Sequence, residues 1–404
     1  MSKTKKIIPE FRFPEFKGEW SLEELGQCLD YLQPTPFLVD NTDYNDEYEI
    51  PVLTAGKSFI LGYTNEQEGI FNENLPVIIF DDFTTASQFV DFPFKTKSSA
   101  MKILLAKNDN DIKFVYESMQ TLNYEVGVHK RHWISVFSKL RIAVPKPQEQ
   151  QKIASCLSSL DELIAAHKDK LDALKDHKKG LLQNLFPQDG EKVPKLRFKE
   201  FENSGEWEEK KISDLGETIS GLTGKSKDDF GAGKPFVTYK QVFDNSEINF
   251  EQCERVQISD DENQTSLQQG DILFTTSSET PNEVGFASVL IDFPKEKTYL
   301  NSFCFALRPF NIEKTQPQFS RYLFHSPIYR RSVTAIAQGS TRYNISKGAF
   351  VEIQVPIPAP TEQQKIASCL SSLDEVIEAQ VAKIEQLKLH KKGLMQGLFP
   401  KIND

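Results

Sequence analysis

Glu149 to Pro187 reads EQQKIASCLSSLDELIAAHKDKLDALKDHKKGLLQNLFP, and Glu362 to Pro400 reads EQQKIASCLSSLDEVIEAQVAKIEQLKLHKKGLMQGLFP; at an offset of 213, about 28 of 39 positions are identical. A period this long is not that of a solenoid and marks duplication of a larger unit. Working outward, Ile8-Pro9-Glu10-Phe11-Arg12-Phe13 with Gly18-Glu19-Trp20 returns as Val193-Pro194-Lys195-Leu196-Arg197-Phe198 with Gly205-Glu206-Trp207. Each half therefore holds an aromatic lead-in, a variable module and the repeat. The two modules, roughly 26–144 and 216–354, share almost no sequence.

Inside the first copy Ile153, Leu157, Leu160, Ile164, His167, Leu171, Leu174, Lys178, Leu181 and Leu185 step alternately by four and three, a heptad seam. The second copy matches it from Ile366 to Leu398, with Gln380 and Lys391 polar at the same two steps. Pro145 and Pro147, like Pro358 and Pro360, stand just before or at the predicted helix starts, and Pro187 and Pro400 at the stops. About 38 helical residues make a rod of ~57 Å. Two such rods in one chain can close as an antiparallel coiled coil, because the long module between them leaves their direction free. Gln150, Gln151, Ser158 and Asp161 recur unchanged as Gln363, Gln364, Ser371 and Asp374. Heptad packing does not require these positions, which marks them as a candidate partner-docking face.

The chain of 404 residues is 39 % hydrophobic and 26 % charged, ordinary for a soluble protein of two or more domains. It contains no long apolar run, so a cytoplasmic location is expected. Five scattered cysteines signal neither a disulfide frame nor zinc, and the six histidines form no metal-binding pair. Gly224-Lys225-Ser226 lacks the glycine a phosphate loop needs, and Ser326-Pro327-Ile328-Tyr329 lacks the second proline of an amino-methyltransferase motif. No catalytic apparatus is visible.

A net charge of −10 argues against nucleic acid, but its distribution does not. Both modules end basic: the first through Lys95, Lys97, Lys102, Lys107, Lys113, Lys130, Arg131, Lys139 and Arg141, the second through Lys314, Arg321, Arg330, Arg331, Arg342 and Lys347. The bland alternative is a solvated charged face. Candidate DNA contacts are Lys95, Lys97, Lys130, Arg131 and His132 in the first module. In the second they are the hydroxyl cluster Thr275, Thr276 and Ser277 and the loop residues Arg342, Tyr343 and Asn344, since Arg and Asn can read base edges bidentately. Turn capping and loop packing are the competing roles.

The two Pro-x-Pro-x-x-Glu-Gln-x-x-Ile-Ala boundaries at 145–154 and 358–367, the two lead-ins and the two Leu-Phe-Pro endings make the whole chain resemble the DNA-specificity subunit of type I restriction-modification enzymes. The resemblance implies an α+β architecture: two mixed α/β target-recognition domains joined by two long helices in an antiparallel coiled coil, with a pseudo-two-fold internal repeat. The expected boundaries are 1–147 for the lead-in and first recognition domain, 148–187 for the first spacer helix, and 188–206 for a linker with the second lead-in. The second recognition domain is expected at 207–357 and the second spacer helix at 358–400. The family further implies a non-catalytic subunit that reads a bipartite, asymmetric duplex site. It would dock two methyltransferase subunits that use S-adenosylmethionine and join motor-nuclease restriction subunits that use ATP and magnesium, holding no cofactor itself. A coiled-coil scaffold carrying two protein-binding modules is the alternative reading.

Overall fold

The computed structural model describes residues 6–54, 58–124 and 132–402. Its two compact units are not sequential halves: one comprises Met1–Asp169 with Ala382–Asp404, the other Lys170–Val381. Two long helices, Pro147–Asn184 and Pro360–Leu398, each begin in one unit and end in the other. Every unit thus holds one module, the start of one repeat copy and the end of the other.

The modules share a strand plan despite their unrelated sequences. In the first unit an antiparallel sheet runs in the spatial order Leu29–Leu32, Met101–Ala106, Val77–Asp81, Ser87–Val90; in the second the order is Gly216–Ser220, Cys304–Pro309, Ile272–Thr275, Ala287–Val289. The central strands Val77–Asp81 and Ile272–Thr275 are continuous apolar runs, buried almost throughout, as strands covered on both faces must be. Each unit adds a three-stranded sheet with one antiparallel and one parallel pairing: Ile60–Thr64, Ile50–Leu53, Lys95–Thr96 in the first and Glu254–Val256, Phe230–Val237, Tyr299–Leu300 in the second. A short lead-in strand pairs with the last strand before each long helix, Ser21–Glu24 with Arg141–Val144 and Glu208–Lys211 with Gln354–Ile357.

The repeated residues form the frame. Arg12 grips the Glu149 carboxylate through Nε and Nη2, both at 2.8 Å, and gives Nη1 to the Gly18 carbonyl; Arg197 does the same with Glu362 and the Gly205 carbonyl. Gln150 is buried, its Oε1 accepting from the Asp111 backbone N–H while Nε2 donates to Asn110 and the Pro145 carbonyl. Gln363 repeats this on Gln316, Lys314 and Pro358. Both glutamines satisfy an otherwise orphaned donor where a module helix (Ile112–Gln120 or Pro317–Leu323) begins. Their recurrence therefore has an internal cause, which corrects the expectation that Gln150 and Gln363 face a partner.

The buried Asp374 is corrected in the same way, and Asp161, half-buried, is also engaged by the chain's own lysines. In the first unit Lys391 Nζ lies 2.7 Å from Asp161 and 2.8 Å from Glu117, and Lys113 completes the ring at 2.7 Å from Asp161 and 2.9 Å from Glu117. In the second unit Lys178 pairs with Asp374, which also accepts from the Tyr322 hydroxyl at 2.8 Å. The polar lysine steps of the heptads are thus half of two equivalent ion pairs. In each pair the acid comes from early in one copy and the base from late in the other.

Burial pushes the Asp161 carboxyl up, but hydrogen bonds from Lys113 and Lys391 outweigh it and hold the group below its ordinary 3.8. A depressed carboxylate contributes stability above its unfolded pKa and loses it as pH falls through the folded value. The first unit is therefore expected to weaken below about pH 4, and Asp161→Asn to flatten that acid limb, as read by thermal unfolding across about pH 2 to 5.

Leu185, Phe186 and Pro187 are buried, as are Leu398 and Phe399. Phe186 stacks on Phe319 at 5.6 Å with Trp207 edge-on at 5.9 Å, and Phe399 lies 5.3 Å from Phe114, which meets Trp20 at 5.9 Å. One departure between the copies follows from the lead-ins. The Phe11 amide donates to the Gly397 carbonyl as the Leu196 amide donates to that of Asn184, but a Cβ at 397 would stand 2.2 Å from the larger Phe11 ring. The second copy therefore has glycine where the first has asparagine.

Candidate nucleic-acid interface

In the second unit the sheet's central strand runs into Thr276 and the short strand Ser277–Ser278, which pairs antiparallel with Tyr343–Asn344. Thr276 donates its amide to the Phe303 carbonyl and accepts from the Ile345 amide, both at 3.0 Å, so three loops interlock around one hydroxyl-rich turn. The loop from Gln338 to Asn344 is closed by two backbone bonds between its end residues, 2.9 and 2.8 Å. Gly339 is required there: its φ is +143°, and a Cβ would meet the Arg342 carbonyl oxygen at 2.1 Å. Arg342 stands exposed on this loop, with Nε donating to Ser277 Oγ at 3.2 Å and its guanidinium carbon 5.6 Å from the Phe303 ring centre.

The fold therefore gathers Thr276, Ser277, Arg342, Tyr343 and Asn344, segments 65 or more residues apart in sequence, at one sheet end. Ser277 is buried there and serves as the acceptor that holds Arg342, which corrects its candidacy as a DNA-contacting hydroxyl. Thr275 is not part of that surface either. It is fully buried, and its Oγ1 accepts the Phe286 amide at 3.0 Å, a structural use that corrects its candidacy. Phe303, 56 % exposed beside Arg342, escaped the sequence reading. One phenylalanine among 30 carries no signal until its loop is placed.

The first unit retains fewer of its candidates. Lys95 is buried, 2.6 Å from Glu66 and from the Glu68 carbonyl, which removes it from any phosphate-facing surface. His132 is also buried, its ring 3.1 Å from the Tyr124 hydroxyl and its amide bonded to the Asp82 carbonyl. Lys97 is exposed and 5.8 Å from the Tyr44 ring centre. Lys130 and Arg131 lie outside the described residues.

Counting bases along the chain thus overstated the cationic surface. Lys102 is buried 3.2 Å from Asp82, Lys107 pairs with Asp30, and Lys113 belongs to the frame; Lys97, Lys139 and Arg141 stay exposed. In the second unit Arg321 meets Glu247 at 2.8 Å, Arg331 meets Asp189 at 2.7 Å, and Arg330 donates to the carbonyls of 282, 284 and 285. Arg342 and the exposed Lys314 make no ion pair among the described residues. Lys347 lies 2.6 Å from Ser220 Oγ.

Lys225, from the phosphate-loop-like triplet, is tied to Glu262 at 2.5 Å, and that contact first, with the Ser259 amide, lowers the Glu262 carboxyl to about 2. Among the described residues no group of three or more metal-ligating side chains occurs and no helix is long and apolar enough to cross a membrane. Of the expected docking positions, Gln151 and Gln364 are exposed and Ser158 and Ser371 half-buried on the long helices.

The family described as "Type I restriction modification DNA specificity domain" matches residues 18–176 and again 204–389, once per module. The specificity subunit of the type I restriction enzyme EcoR124I/EcoR124II of Escherichia coli is 50 % identical over 155 residues, a stretch that spans 37 % of this chain and 37 % of that protein's length. The MjaVIII specificity subunit of Methanocaldococcus jannaschii is 24 % identical over 98 % of this chain and 94 % of its own. Among solved structures, the type I restriction-modification S subunit from M. genitalium superposes with a TM-score of 0.59 at 15 % identity, covering 98 % of this chain and 100 % of that one, a likeness of fold.

Proposed function

The chain belongs to the type I restriction-modification DNA-specificity family, and on that premise we propose that it is the non-catalytic subunit that reads a bipartite, asymmetric duplex site, one module per half-site. The observation that carries this reading is the pair of modules with one strand order and unrelated sequences, each mounted on the same repeated frame. A conserved mount with divergent inserts suits one mechanical task applied to two targets. The second module's interlocked loops supply hydroxyl, amide and guanidinium groups, the types that contact phosphates and base edges.

The two long helices act in this reading as an antiparallel coiled-coil spacer. Crossed ion pairs between early and late repeat positions support that direction. The exposed Gln151 and Gln364, with the half-buried Ser158 and Ser371, are the proposed docking face for two methyltransferase subunits. Those subunits would bring S-adenosylmethionine, and restriction subunits would use ATP and magnesium.

The chain assembled with its methyltransferase is expected to bind a specific duplex with an affinity that falls steeply with salt, since each neutralised phosphate adds about −0.9 to the slope of log K against log salt. Titrations at several salt concentrations measure it. Salt-insensitive or absent DNA binding, with protein ligands captured instead, points to the protein-binding scaffold. Leu160→Asp with Leu373→Asp is expected to abolish methyltransferase assembly, read by size-exclusion chromatography; normal assembly would refute the docking role of the helices.

A further inference from the structure

Within the second unit Arg342 is the one described arginine of the loop cluster whose fork is left partly uncommitted. Its Nε is tied to Ser277 Oγ at 3.2 Å, and its guanidinium carbon lies over the Phe303 ring, 5.6 Å from the ring centre. The two Nη groups have no partner among the described residues. Ser277 is itself held, its carbonyl accepting from the Tyr239 hydroxyl at 2.6 Å and its strand paired to Asn344. A guanidinium fixed at Nε and held over a ring presents its Nη pair as a preset fork.

Such a fork matches two DNA features: the O6 and N7 acceptors of guanine in the major groove, and a phosphate. The surroundings favour the base. The loop Gly339-Ser340-Thr341-Arg342-Tyr343-Asn344 contains no lysine, and the nearby Lys347 is engaged with Ser220. Phe303 offers an exposed apolar ring beside the fork, a poor neighbour for a phosphate but a suitable one for base edges and thymine methyl groups. Asn344, a side chain that can read adenine, is exposed two residues on.

We infer that Arg342 reads a guanine in the half-site engaged by the second module, with Ser277 and Phe303 as positioning residues and the Gly339 turn setting the loop's height. This inference rests on the DNA-specificity reading above.

The test uses the full chain assembled with its methyltransferase subunits. Methylome sequencing first defines the site, and each base pair of a duplex carrying it is then exchanged in turn. For the wild-type assembly, replacing one G·C pair of one half-site by A·T is expected to weaken binding by about 5- to 150-fold. In Arg342→Ala that discrimination should collapse, while preferences in the other half-site persist. Arg342→Lys keeps the charge but loses the fork, so discrimination should fall with the salt slope unchanged. Ser277→Ala and Phe303→Ala should retain the guanine preference at reduced strength.

An Arg342→Ala assembly that loses affinity equally on all sequences identifies a phosphate contact and overturns the inference. So does a second half-site without a guanine, or an unaltered preference in that variant. A wild-type assembly with no sequence preference at all would instead overturn the family-level reading.

Discussion

Phe186→Ala is expected to destabilise the second unit by about 3–5 kcal/mol, the usual cost of removing a fully buried phenylalanine. The ring is completely buried between Phe319 and Trp207, so truncation leaves a cavity bounded by two large aromatics that cannot readily collapse. The location of the damage is the distinctive part. Phe186 closes the repeat copy that follows the first module, yet its contacts lie in the second unit. Hydrogen exchange should show the amides of Ile272–Thr275 and Cys304–Pro309 losing protection while those of Val77–Asp81 and Met101–Ala106 keep theirs. Phe399→Ala should give the reverse pattern through Phe114. Equal loosening of both units in both variants would mean that the endings do not pack as described.

Glu362→Ala is expected to cost about 3–5 kcal/mol, because it strands a buried guanidinium. Arg197 loses both of its 2.8 Å contacts and retains only the Gly205 carbonyl, and the Trp207 indole N–H, 3.3 Å from the same carboxylate, loses its acceptor. The side chains of the pair are 7 % and 2 % exposed, so water cannot easily replace the carboxylate. Glu149→Ala should cost less, since Arg12 is 15 % exposed. A double change, Arg197→Met with Glu362→Leu, is expected to recover much of the loss, because desolvation offsets a large share of a buried pair's attraction. Urea unfolding of the three variants measures all of this; a Glu362→Ala midpoint equal to the wild type would show that the clamp holds nothing.

The frame was more legible in sequence than the site. Heptad spacing and proline punctuation located both long helices, because periodicity is a local property of the chain. The same identity was misleading at Gln150, Gln363 and Asp374. Recurrence says that a position is constrained, and a buried contact to the chain's own module constrains it as firmly as a partner would. The helix starts that the two glutamines hold lie 39 and 47 residues upstream, in modules whose sequences do not align. Nothing in either stretch announced them.

The basic ends of the modules were similarly ambiguous. Lys95 and Lys102 look like surface lysines in a list of residues, but each is buried against an acid. The loop at Arg342 fared better, since Arg, Tyr and Asn beside a glycine are unusual enough to notice. Its supports, Ser277 and Phe303, are 65 and 39 residues away.

By itself, then, the sequence determined the duplication, the two helical repeats, the lead-ins and the family, all of which depend on identity and spacing between neighbouring residues. Only the tertiary structure decided that each repeat's end serves the unit containing the other repeat's start, that unrelated modules share one strand order, and which arginine keeps its fork unengaged. Those outcomes rest on contacts between residues as far apart as Asp161 and Lys391, separated by 230 positions. Charge pairing and burial at such separations are set by where the backbone folds, and no local pattern encodes them.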